Sequence, residues 1–452
     1  MKLSRAALIP LACSAALAAT TAQATAADRP ERRVQVAMVN FTDSRIPDAT
    51  KLEGALKQNY FGTSESLTSY YNEVTNGATT FKAADGDGVT GPVTIDLAAT
   101  GCDTGKINEL TRKALAEKGV AESGYDHLSI VYPAEKAGCD WLALGTVGGG
   151  TTWMPVGADG KMSMTALVHE FGHNFGYSHH MRLRCPEGDL GKGCKEDGTS
   201  HKTPMGGGGW EAGLTSPELI HNKWLTGGQL AKVATSGTYT LRPLYGSGSG
   251  VRALDIPLGE DRLVVELRHK SGTVDGEIQG VHAYRVPAKD YTKSALVDPT
   301  PDADESTGSD AAADADALKA GAKLTDTARK VEVKVVKSGA TSATVAVSLD
   351  GVAAPKEAAP APSEAAPAPS AAGPTEAAPT KAAPTDGAAN DTRPEGGSTE
   401  LAETGADSST TLPYAFGGAL LLAAGGAFVL KSRNRRAARA TSGADRTGRH
   451  SR

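Results

Sequence analysis

His169, Glu170, His173, Gly176 and His179 stand at the offsets of the pattern H-E-x-x-H-x-x-G-x-x-H. Residues four apart share one face of a helix, so His169 and His173 can reach the same metal ion. Glu170 lies between them and can take a proton from a water held at that ion. Gly176 tolerates backbone angles closed to other residues and lets the chain leave the helix sharply. That turn can bring His179 back as a third nitrogen ligand; a turn one residue longer would present His180 instead. Three protein ligands leave a fourth position for water, which is the arrangement of a catalytic zinc site. Zinc bound by three neutral imidazoles lowers the pKa of its water to about 7 and polarises a carbonyl oxygen. The chemistry is amide hydrolysis with Glu170 as general base. An internal peptide bond is the simplest substrate, since nothing in the sequence suggests a pocket for a free terminus. One zinc ion is the expected cofactor. Calcium has no comparable support, because the acidic stretch 298–316 lacks a Gly-centred loop.

The elements that must position these residues can be read around them. Ser163 supplies a cap for a helix over Thr165–Phe175, with Ala166, Leu167, Phe171 and Phe175 on its buried side and Tyr177 near the site. Upstream, strands are expected over 34–41, 79–82, 93–97, 125–132 and 141–156, the last interrupted by Gly148-Gly149-Gly150. Helical spacing covers 52–74 and 106–118. This alternation is an α/β (α+β) sheet feeding an active-site helix, and it makes 28–228 a catalytic domain. From Ser236 the pattern changes to short alternating strands, so 229–350 reads as an all-β, sandwich-like domain. The Ala- and Asp-rich stretch 298–316 reads as a disordered insertion in it.

Composition and the chain ends suggest a compartment. A net charge of −5 over 452 residues argues against a nucleic-acid partner. Lys2, Arg5 and the apolar run Ala6–Ala19 read as a signal peptide, residues 1–27. Four cysteines remain beyond it: Cys102, Cys139, Cys185 and Cys194. In an exported chain they imply two disulfides with three possible connectivities. Cys185–Cys194, closing a small Gly-rich loop, and Cys102–Cys139 form the favoured pair. Residues 351–400, rich in Pro and Ala, read as a disordered, semi-rigid spacer. In 401–452 the pentapeptide Leu401-Ala402-Glu403-Thr404-Gly405 precedes an apolar run, 412–430, long enough for a transmembrane segment, and a basic tail, 431–452.

That ending resembles a sortase sorting signal of the LAxTG type. The resemblance implies cleavage between Thr404 and Gly405 and linkage of Thr404 to peptidoglycan, with the membrane engaged only in transit. His169–His179 resembles the zinc motif of metzincins. With HEFGHNFG, the later MGGGGW and a β module after Trp224, the chain is similar to the gametolysin family of metallopeptidases. This implies zinc on His169, His173 and His179, Glu170 as base, and Met205 as a Met-turn beneath the metal. The expected protein is a secreted, wall-anchored zinc endopeptidase whose partners are a protein or peptide substrate, a sortase and peptidoglycan. Two alternatives are an inactive, surface-displayed binding protein and a zinc amidase acting on wall cross-links.

Overall fold

The computed structural model describes residues 31–157, 159–185, 187–299, 316–355 and 401–404. The expected signal peptide 1–27, the bulk of the acidic insertion, the spacer beyond residue 355, Gly405, the apolar run 412–430 and the basic tail lie outside the described residues. Among the described residues no helix is long and apolar enough to cross a membrane.

The N-terminal part is a mixed α/β layer structure. Its strands are β1 (Glu31–Asn40), β2 (Thr80–Ala83), β3 (Val89–Thr94), β4 (His127–Pro133), β5 (Ala143–Thr146) and β6 (Thr151–Val156). Its helices are α1 (Ala49–Phe61), α2 (Leu67–Val74), α3 (Thr104–Glu117) and α4 (Met164–Asn174). β1 pairs in parallel with β2, β3 and β4, and β4 pairs in parallel with β6. β5 runs antiparallel to β6.

Both faces of this sheet are covered, which explains why β1 and β4 read as nearly continuous apolar runs. On one face Val34, Val36, Met38 and Val131 pack with Leu56, Tyr60, Tyr71, Leu167 and Phe171 of α1, α2 and α4. On the other, Val39, Leu128, Ile130 and Trp153 pack with Ile107 and Leu115 of α3. The helical stretch expected over 52–74 is two helices. Gly62 caps the first, and Ser66 starts the second through a reciprocal capping box with Ser69.

The C-terminal strands are β9 (Leu230–Lys232), β10 (Gly237–Leu241), β11 (Ala253–Leu258), β12 (Asp261–Arg268), β13 (Gly280–Val286), β14 (Ala295–Asp298), β15 (Lys323–Asp326), β16 (Val331–Ser338) and β17 (Ala343–Ser348). A four-stranded antiparallel sheet runs β10-β17-β16-β15. It shares one apolar core with a second, larger sheet: Leu241, Val333, Val335, Val345 and Val347 meet Leu254, Ile256, Val265, Val281 and Val297. Two sheets closing on a common core make a sandwich.

The larger sheet runs β8-β7-β14-β13-β12-β11-β9, where β7 is Met181–Arg184 and β8 is Lys195–Thr199. Two of its strands therefore come from the segment just after His179. The sheet runs across the expected boundary near residue 228, because β7 finds its partner in β14. The ends of the expected disordered insertion are also built into the fold. Asp298 closes β14 and is fully buried, and buried Asp316 lies 3.6 Å from Lys202 Nζ and 3.9 Å from Arg182 Nη1.

The disulfides are Cys102–Cys139 and Cys185–Cys194, as favoured from the sequence. The first closes a 37-residue separation beside α3, and the second a separation of 9 next to β7.

Candidate metal centre

α4 carries the first two histidines and the glutamate. Ser163 caps it by accepting from the Ala166 amide at 3.2 Å. Its apolar positions are drawn into the core, with Leu167, Val168 and Phe171 fully buried. Burying such side chains contributes roughly 1.5–3 kcal/mol each, and this fixes the rotation of the helix about its axis. At its C-terminus Gly176 takes φ 95°, in the left-handed region, and its amide bonds the His173 carbonyl at 2.8 Å. The chain then turns back and delivers His179.

The imidazoles of His169, His173 and His179 converge. Their ring centroids lie 4.6 to 5.2 Å apart, and one ligand nitrogen from each falls within 4.8 Å of the others. His169 Nδ1 donates to the Pro204 carbonyl at 2.6 Å, and His173 Nδ1 donates to the Tyr177 carbonyl at 2.7 Å. A carbonyl can only accept, so both rings carry their proton on Nδ1 and turn the Nε2 lone pair inwards. Those two Nε2 atoms are buried and have no hydrogen-bond partner. Buried polar atoms left in this state are costly unless something else binds them, and a metal cation can.

Electrostatics favours the same state. Burial, and then the neighbouring rings, pushes His169 well below the ordinary histidine value. Burial lowers His173 to about 4. Both are neutral at neutral pH, the form that ligates metal. The three imidazoles can therefore hold a metal ion. His179 is exposed, so the centre opens to solvent on that side.

The supporting residues come from several elements. Met205 is fully buried, and Gly172 of α4 packs directly on its Sδ, so that a Cβ at 172 would collide with it. The Met205 carbonyl accepts from the His180 amide at 2.9 Å, which ties this loop to the chain just past the third histidine. Gly145 of β5 lies against Glu170: a Cβ there would stand 2.9 Å from Glu170 Oε2 and 2.7 Å from the Glu170 carbonyl oxygen.

One sequence expectation needs correction here, and one alternative is set aside. Tyr177 does not line the centre with its side chain, which is buried and donates to the Glu218 carbonyl at 3.0 Å; only its own carbonyl serves the site. His180 is turned away and bonds Ser294 and Thr292, so the turn presents His179.

One group behind the metal centre went unremarked in the sequence. β12 contributes Arg268, fully buried, which bonds Asp275, Glu266 and the carbonyls of Lys202 and Gly213. Glu266 in turn accepts from the Ser216 amide at 2.6 Å, at the start of α5 (Ser216–His221). Buried Glu218 of α5 accepts from Thr203 at 2.9 Å, and Thr203 accepts from the Met205 amide at 3.2 Å. The loop beneath the histidines is thus pinned from the C-terminal half. Only the strand alternation of RLVVELR placed Glu266 and Arg268 on one face.

A second buried polar link fixes α4 to the sheet. His127 Nδ1 contacts Asn174 Oδ1 at 3.0 Å, and Asn174 Nδ2 donates to the Thr146 and Thr151 carbonyls. Burial lowers His127 from 6.5 to about 4. Above pH 6.5 the ring is neutral in both the folded and unfolded chain, and nothing is lost. As pH falls below 6.5 the unfolded chain binds a proton that the folded chain refuses, so stability drops until about pH 4. The gap is worth about 3 kcal/mol. Urea unfolding of the wild type at pH 7 and pH 4 should show this loss, and His127→Gln should reduce it; an unchanged difference in the variant would rule out this histidine as its source.

No protein-family model matches the chain, and no curated protein matches it. Among solved structures it is similar to wild-type OgpA from Akkermansia muciniphila, at 13% identity and TM-score 0.30, covering 60% of this chain and 86% of that one. Catalytically inactive OgpA in complex with an O-glycopeptide (glycodrosocin) substrate gives 10% identity and TM-score 0.24, with coverage of 60% and 86%. A chain from a chaperone–substrate complex gives 13% identity and TM-score 0.22, covering 39% of this chain and 28% of that one. The chain thus spans less than a third of that last protein. Scores this low assign neither fold nor activity.

Proposed function

We propose that the chain is a secreted zinc metalloendopeptidase of the metzincin type, held covalently on the cell wall. One observation carries the catalytic part: two buried Nε2 atoms without hydrogen-bond partners converge with His179 beside a buried glutamate. Three neutral nitrogens in a site open on one side suit zinc. When bound, zinc would supply Lewis-acid polarisation of a carbonyl and a water of lowered pKa. The protein's own residues do the rest. The Pro204 and Tyr177 carbonyls hold the His169 and His173 rings in the ligating tautomer. Glu170, buried between α4 and β5, accepts the proton of the attacking water and returns it to the leaving amine nitrogen. Gly145 leaves room for that carboxylate against the strand.

The test is metal removal. The purified protein should carry one zinc per chain and cleave casein; a chelator should abolish cleavage, and added zinc should restore it. Cleavage that survives full loss of metal would sink the proposal. Purified wall incubated in parallel separates a peptidase from an amidase acting on cross-links.

The anchoring part rests on the pentapeptide Leu401–Gly405 with the apolar run and basic tail behind it, and two disulfides are compatible with an extracellular protein. In the proposed linkage the Thr404 carbonyl passes from the Gly405 nitrogen to an amine of peptidoglycan. Thr404→Ala should therefore move the protein from the covalently bound wall fraction to the membrane and medium. Retention in the wall after boiling in detergent would contradict it.

A further inference from the structure

The described residues include an eighteenth strand, β18 (Leu401–Thr404), far along the chain from the sheet it joins. It adds to β5 in antiparallel register, with Leu401 opposite Thr146, Ala402 opposite Gly145, Glu403 opposite Leu144 and Thr404 opposite Ala143. β5 is flanked by β6 on one side and by β18 on the other.

This edge is part of the metal centre. Gly145 is the residue whose missing side chain makes room for the Glu170 carboxylate. The backbone of Ala402 is thus paired with the residue that touches the base. Cα atoms of β18 come within 8 Å of those of α4, the helix that bears His169, Glu170 and His173.

A strand edge presents a row of main-chain donors and acceptors, and an extended peptide binds such an edge by adding a strand. A peptide that must bring its backbone to Glu170 would use the same edge. Two strands cannot pair with one edge at once.

We propose that Leu401–Thr404 is an inhibitory strap in cis, occupying the peptide-docking edge of the metal centre in the uncleaved chain. The inhibitory role rests on the peptidase reading above; the docked strand does not. The segment that carries the proposed sorting signal then also keeps the cleft closed to other extended peptides while it stays paired.

The test uses the full chain and two substitutions, Ala402→Pro and Glu403→Pro. Neighbouring residues in a strand aim their N–H groups in opposite directions, so one of the two prolines removes a donor aimed at β5. Two readouts are taken: amide hydrogen exchange of 143–146, and casein cleavage by the zinc-loaded protein. In at least one variant the β5 amides should exchange roughly tenfold faster, and casein kcat/KM should rise by roughly three- to tenfold as the edge is freed. Unchanged exchange in both variants overturns the docked strand. Faster exchange without a rise in cleavage, in a protein whose wild type cleaves casein, overturns the inhibitory role. Exchange that responds while no sample cleaves casein, wild type included, supports the docked strand and overturns the peptidase reading instead.

Discussion

Glu170→Gln should keep the full zinc content and lose roughly 10²- to 10⁴-fold in casein kcat/KM, the range that a general base contributes. The substitution preserves the volume of a fully buried side chain, so α4 and its two histidines should stay where they are. What disappears is the carboxylate that, in the proposed mechanism, takes the water's proton and hands it to the leaving nitrogen. The amide also fits beside Gly145, because no side chain faces it there. Zinc content and steady-state kinetics on the same preparation check the prediction. Activity within tenfold of wild type at full metal content would remove Glu170 from the mechanism and leave the histidines as a metal site of another purpose.

Arg268→Met should destabilise the protein by about 3–5 kcal/mol, because it strands Glu266 and Asp275 without a countercharge. Both carboxylates and the guanidinium are wholly shielded from solvent, with closest approaches of 3.0 Å and 2.6 Å. Burial works against the charge on Arg268, yet Asp275, Tyr245 and Glu266 outweigh it and hold its pKa above the ordinary arginine value. The variant also strips a donor from the Lys202 and Gly213 carbonyls, so the loop with Met205 should loosen and zinc affinity should fall with stability. Adding Asp275→Asn and Glu266→Gln should recover part of the loss, since the orphaned charges are then gone. Urea unfolding and zinc titration measure both effects. A loss below about 1 kcal/mol would mean that the cluster is hydrated in solution and does not brace the site.

The metal centre was the most readable part of the sequence because its residues are local. His169 to His179 span the last six residues of α4 and one glycine turn, so spacing alone predicts which rings meet. The disulfides were readable for a related reason: Cys185 and Cys194 are close in the chain, and the remaining two then pair by default. Elements paired across long separations were harder. β7 and β8 are short and polar and flank the Gly-rich loop closed by Cys185 and Cys194; pairing with each other and with β14 makes strands of them. Glu266 and Arg268 alternate as solvent-facing residues would, but α5 and the Met205 loop cover that face. Periodicity reports which residues share a side, not what will lie against it.

β7 joins β14 immediately after the third histidine, and this has a bearing on how the protein is made. His180 leans on Thr292 and Ser294, which follow it by 112 and 114 residues. The Ser178 amide also bonds the Thr292 carbonyl. A polypeptide still emerging from synthesis therefore carries the whole H-E-x-x-H-x-x-G-x-x-H stretch before it owns the bonds that flank His179. The centre is finished only when the chain has grown past Ser294, and until then the unfinished chain lacks the framework that flanks His179.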